Sequence, residues 1–288
     1  MHHDYHVFRK CTVAGFGITA MLTLATPMTA QVDLGLAPMR VEFPASPGRP
    51  YSGTLSLSNG GNGKSRVRAE LLDLYVDENT TPQFVANAPA EAEYSCQSWL
   101  SVNPMEFEIE PQSQVPVRFT VRVPDGASDR SYHCAIGFRT LPAPSEETGT
   151  AMRTAVRMIA AVYPIVGKPP ILGEIKELKL EQVPGDAKPV WQAVVVMENS
   201  GSMLYRPTGE LEVVDAAGKV VESQKLPTFP ALPNRQQRYL LPLTSDLESG
   251  QYTLRARVEV GNEIQEATAA VKAEAPPRQA AAPEGPPK

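Results

Sequence analysis

The chain has 288 residues, with 27 Lys and Arg against 32 Asp and Glu, a net charge of −5. That balance argues against nucleic acid or an anionic membrane surface as the partner. Of four histidines, three sit within the first six residues and only His133 lies further on, so neither a metal centre nor a chain of histidine acid–base groups is on offer.

Residues 1–30 read as a secretory signal peptide. Arg9 and Lys10 form the positive start, and the apolar run from Thr12 to Ala25 is too short to span a bilayer. Cleavage falls after Ala30 or after Ala25, and Cys11 precedes the apolar run, unlike a lipoprotein cysteine. No later segment is apolar enough to cross a membrane, so the expected location is periplasmic or secreted. Losing residues 1–30 removes Arg9, Lys10 and Asp4 and moves the net charge from −5 to −6. The remaining stretch of about 258 residues suits two ordinary domains.

From residue 31 the pattern is all-β. Leu55 and Leu57 alternate with Thr54, Ser56 and Ser58 before the Asn59-Gly60-Gly61 turn. Val67, Ala69 and Leu71 follow, and the phase then slips to Leu72, Leu74 and Val76, which predicts a bulge. Met105, Phe107 and Ile109 oppose Glu106, Glu108 and Glu110, with Arg118 and Arg122 as expected partners of those carboxylates. Val115, Val117, Phe119, Val121 and Val123 make the next run. Tyr132, Cys134, Ile136 and Phe138 then point inward, with His133 and Arg139 outward. Residues 151–166 close a set of seven strands, the layout of an immunoglobulin-like sandwich.

A second copy follows. Ser58-Asn59-Gly60-Gly61 is echoed by Glu198-Asn199-Ser200-Gly201, and the run before Asp73 by Glu210 to Val214 before Asp215. Tyr132 and Tyr252 each follow a polar turn, where such sandwiches place a corner tyrosine bonded back to the backbone. The expected organisation is a signal peptide (1–30), a first immunoglobulin-like domain (31–166), a proline elbow, a second such domain (170–275) and a Pro-rich disordered tail (276–288).

Cys96 and Cys134 are an even pair in an oxidising compartment, which makes a disulfide the default. Cys96 is expected to open the fourth strand, with Trp99 only three residues on, unlike the antibody bridge. No nucleophile–base unit, metal-ligand spacing or phosphate loop appears. The chain reads as non-catalytic, with no cofactor and no metal.

The stretch Ala37-Pro38-Met39-Arg40-Val41-Glu42-Phe43, then Leu55-Ser56-Leu57-Ser58-Asn59, is similar to the opening strands of the periplasmic pilus-assembly chaperones. So is Trp99-Leu100 leading to Pro104, Phe107 and Pro111, and the strand ending at Tyr163-Pro164 resembles that family's last strand of domain one. The resemblance implies a chaperone that binds an exported, pilin-like subunit by strand addition and works with an outer-membrane usher. It implies that Arg40 grips the subunit's terminal carboxylate. The family's lysine has no match, its position falling near Ala160, and Arg157 is the nearest cation. Met152, Thr154, Val156 and Met158 would be the donated face. The residues themselves also allow Arg40 to be a solvated edge charge, and Arg153 and Arg157 to be guards of a free sheet edge. The alternative function is a structural or adhesive immunoglobulin-like protein of the cell envelope.

Overall fold

The computed structural model describes residues 33–77, 81–141, 155–185 and 189–274. The expected signal peptide, Met152, Thr154 and the Pro-rich tail lie outside the described residues.

The alternating runs build two sandwiches. In the first the strands are β1 (Leu34–Ala37), β2 (Arg40–Ala45), β3 (Pro50–Asn59), β4 (Ser65–Val76), β5 (Pro82–Val85), β6 (Leu100–Asn103), β7 (Glu106–Ile109), β8 (Ser113–Arg122), β9 (Cys134–Leu141) and β10 (Arg157–Val166). One sheet runs β1-β3-β8-β6; the other runs β2-β10-β9-β4-β5, with β7 also on β4. The second sandwich has β11 (Gly173–Val183), β12 (Val190–Asn199), β13 (Thr208–Asp215), β14 (Val220–Lys225), β15 (Arg235–Pro242), β16 (Gly250–Val260) and β17 (Glu263–Ala273). Its sheets run β11-β12-β15 and β14-β13-β16-β17. The architecture is two immunoglobulin-like β-sandwiches in tandem.

The period-two pattern explains each core. Leu55 and Leu57 of β3 lie beside Val117, Phe119 and Val121 of the neighbouring β8 on the inner face of one sheet, all essentially without exposure, and Ile136 and Phe138 of β9 in the other sheet close over them. Each such side chain contributes about 1.5–3 kcal/mol by leaving water. In the second domain Leu254, Ala256, Val258 and Val260 are buried while Arg255, Arg257 and Glu259 are exposed, as alternation requires.

The duplication is physical as well as sequential. Asn59 Nδ2 donates to the carbonyls of Gly63 (2.8 Å) and Ile109 (3.1 Å), and its Oδ1 accepts from Gly61 N–H at 3.0 Å. Asn199 repeats this with Met203 (2.9 Å), Ala231 (3.0 Å) and Gly201 N–H (3.0 Å). The two corner tyrosines match too: Tyr132 Oη donates to Ser128 O and Tyr252 Oη to Glu248 O, both at 3.1 Å.

Four expectations are corrected. Cys96 does not open a strand; it precedes a 3-10 turn, Gln97–Trp99, and is disulfide-bonded to Cys134 at the head of β9. β4 has no bulge at Leu72, since its pairing with β9 runs unshifted from Arg66–Leu141 to Leu72–Ala135. The strand leaves β9 there and pairs with β5, and the face carrying Leu74 becomes apolar because the second domain covers it. Glu106 is paired with Arg66 and Arg68 (the latter at 2.8 Å), not with Arg118 and Arg122, because β7 joins β4 while β8 lies in the opposite sheet. His133 is fully buried rather than outward-facing, because the chain around Glu91 and Tyr94 covers that face.

Candidate binding cleft between the domains

The first strand is broken at Pro38. β1 pairs with β3 in one sheet, and β2 crosses to the other, where it runs parallel to β10 with Arg40 opposite Ala161. β2 therefore covers the outer edge of β10 only from Ala161 onward. Among the described residues no strand pairs with Arg157–Ala160 on that side. On that side their backbone donors and acceptors have no strand partner among the described residues, the usual template for an added strand. Met39, 63% exposed, stands where the covering strand begins, its carbonyl bonded to Ala161 N–H at 3.0 Å.

Just beyond this edge the two domains meet. Leu74 and Tyr163 of the first and Leu204 and Leu232 of the second form a buried apolar plug. Beside it opens a cleft of about 210 Å3, walled by Val76, Phe84 and Phe229, with Arg40 and Arg206 as its cations. Arg206 comes from the β12–β13 loop. Its Nη1 lies 2.5 Å from Glu42 Oε2 on β2, and its guanidinium stands 5.2 Å from the centre of the Tyr163 ring. The side chain is 15% exposed, and its Nε and Nη2 are buried without a hydrogen-bond partner. With one nitrogen paired to Glu42, the remaining guanidinium donors are the groups an anionic guest would meet in this cleft. Burial raises the Tyr163 phenol above its usual pKa, although Arg206 and Arg40 pull the other way.

The predicted residues are distributed unevenly around this cleft. Arg40 lines it and is exposed. Arg157 lies four residues before Ala161, about 13 Å along the strand. Its Nε is 3.0 Å from Glu70 Oε2, and its Nη1 donates to Phe84 O at 3.2 Å. The structure does not bring Arg157 to Arg40. Ala160 faces the domain core, and Met158 packs against that same core. Val156 is tied to Thr140 by bonds of 2.9 Å through both its N–H and its carbonyl. Arg206 was not singled out from sequence; its one signal is a lone cation in the Met203-Leu204-Tyr205-Arg206-Pro207 loop. Among the described residues no group of three or more metal-ligating side chains occurs, and no helix is long and apolar enough to cross a membrane.

The cleft and the sheets define a class, a tandem pair of β-sandwiches with a cleft where they meet. No family model matches the chain, and no curated protein does. Among solved structures it is similar to the class 5 fimbriae chaperone CfaA, at 11% identity and a TM-score of 0.42, over 83% of this chain and 99% of that one. It is similar to the E. coli chaperone DraB, at 15% identity and 0.40, over 85% and 98%. A third is the CsuC–CsuE chaperone–tip subunit pre-assembly complex of Acinetobacter baumannii, at 8% identity and 0.42, over 83% and 98%.

Proposed function

We propose that the chain is a non-catalytic periplasmic chaperone that holds an exported, pilin-like subunit before passing it to an outer-membrane usher. The subunit's strand adds to the unpaired edge of β10 at Arg157–Ala160. Its terminal carboxylate enters the cleft between Arg40 and Arg206. The observation that carries this reading is the juxtaposition of a free sheet edge with a cleft holding two arginines, one with unused buried donors. Arg206, contributed by the second domain, takes the place of the lysine that the first domain lacks.

The test is a pull-down of the tagged chain from the periplasm, followed by titration of the recovered subunit's C-terminal peptide with a free or an amidated end. The free acid is expected to bind about 10–100-fold more tightly, the worth of a charge-assisted hydrogen bond. Arg40→Ala and Arg206→Gln each remove most of that difference. Equal binding of acid and amide, or recovery of no pilin-like subunit, overturns the reading.

A further inference from the structure

His133 is 0% exposed and touches the second domain only through Glu91, whose carboxylate it shares with Arg235. Extending the β10–β9 register past Val162–Cys134 places it beside Tyr163, at the edge of the plug. Its Nε2 is 3.3 Å from Glu91 Oε2, and the same oxygen accepts from Arg235 Nη2, at 2.6 Å, across the domain boundary. The His133 Nδ1 is buried and has no partner. Tyr94 lies parallel to the imidazole, 6.1 Å away, and the Arg130 guanidinium, itself paired with Glu93, stands over that tyrosine. Asp73 of β4 is the remaining charge that acts on the ring.

This arrangement suits a neutral histidine. The Glu91 carboxylate only accepts, so Nε2 carries the proton and donates, while Nδ1 keeps a lone pair. A second proton would sit on Nδ1 as a buried donor with no acceptor, and it would set a second cation beside Arg235 for one carboxylate. We propose that His133, Glu91 and Arg235 form a pH-operated clasp between the domains, closed while His133 is neutral and loosened when it is protonated. The clasp stands whatever the cleft holds; its effect on a bound carboxylate rests on the function proposed above.

The direction follows from the surroundings. Burial, helped by Arg235, holds His133 below its ordinary pKa of 6.5, with Glu91 and Asp73 only partly opposing. A loosened state therefore takes the proton first, and the closed state loses ground as pH falls below 6.5. Burial would raise Glu91, but the hydrogen bonds from His133 and Arg235 outweigh it and hold the carboxyl below 4.5, so Glu91 adds its own loosening only in stronger acid.

The experiment places spin labels at Arg122→Cys and Lys219→Cys, exposed positions on the two domains, and measures their separation from about pH 8 to about pH 5. The wild-type separation is expected to shift with the same midpoint as the His133 imidazole followed by NMR. H133Q, which keeps a donor for Glu91 but cannot be charged, is expected to show no shift over that range. A pH-independent wild-type separation, two different midpoints, or a wild-type response in H133Q each overturns the clasp. The midpoint comparison needs no variant, so it decides even if H133Q fails to fold. Loss of pH response with intact carboxylate binding refutes the clasp alone, and the converse refutes the cleft reading alone.

Discussion

Asn59 and Asn199 hold their two domains together in the same way: each side chain, 2% and 1% exposed, ties the end of one strand to a carbonyl from a distant segment and to its own turn. The segments bridged are Ile109 at the end of β7 and Ala231 ahead of β15.

Replacing Asn59 by Ala takes the donor from three carbonyls and replacing Asn199 takes it from two, and each change leaves one turn N–H without its acceptor. The expected loss is about 2 kcal/mol for each. Because the two sites are far apart and share no partners, the double variant should lose close to the sum. Urea unfolding of the three variants checks both points.

The plug at the domain boundary couples the two unfolding units. Leu74 is 3% exposed and Leu232 fully buried, and they pack with Tyr163 and Leu204. Leu74→Ala removes a buried side chain at a cost of about 3 kcal/mol. Calorimetry should show the transitions of the two domains separating in L74A more than in the wild type.

The disulfide lies in the first domain alone. Cys96 and Cys134 are separated by 38 positions, and closing a loop of that length restricts the unfolded chain by about 4 kcal/mol. Reduction, or the double change C96A/C134A, is expected to lower the first domain's melting temperature by more than the second domain's, which feels the change only through the plug. Trp99, whose ring lies 4.4 Å from that of Tyr132, reports the first domain and Trp191 reports the second, so near-ultraviolet dichroism of W99F and W191F backgrounds separates the two.

Glu222 gives the second domain an acid-sensitive point. Burial opposes its charge, but it accepts from the backbone N–H groups of Thr244 (2.9 Å) and Ser245 (2.8 Å) and from Gln224 (2.6 Å). These bonds win and hold its pKa down to about 2. A depressed carboxyl stabilises the fold above its unfolded pKa, and that contribution is lost as pH falls from about 4.5 to about 2. E222Q should therefore unfold with less dependence on pH across this window, while at neutral pH it is less stable than the wild type.

Much of the scaffold was legible in local sequence. The Leu55/Leu57, Val117/Phe119/Val121 and Leu254/Ala256/Val258 alternations named their buried faces correctly, because each strand there has one core face and one solvent face. The corner tyrosines and the asparagine turns were legible because the bonds that shape them are local, four residues back for each tyrosine and two residues on for each asparagine, whereas the asparagines' distant carbonyl partners were not. Alternation failed at His133 and at Leu72–Leu74, where both faces of a strand are covered. A period of two carries no information once the outer face also becomes a core.

The amino-acid order alone therefore determined two β-sandwiches and the pairing candidates Cys96 and Cys134. Packing decided which charges meet. Glu42 finds Arg206 and Glu91 finds Arg235 across a boundary between segments more than a hundred residues apart, and no local pattern encodes that encounter. The cleft belongs to neither domain alone, since both contribute walls, and only docking the two sandwiches brings Arg40 and Arg206 to one cleft and sets Arg235 on the carboxylate that His133 uses.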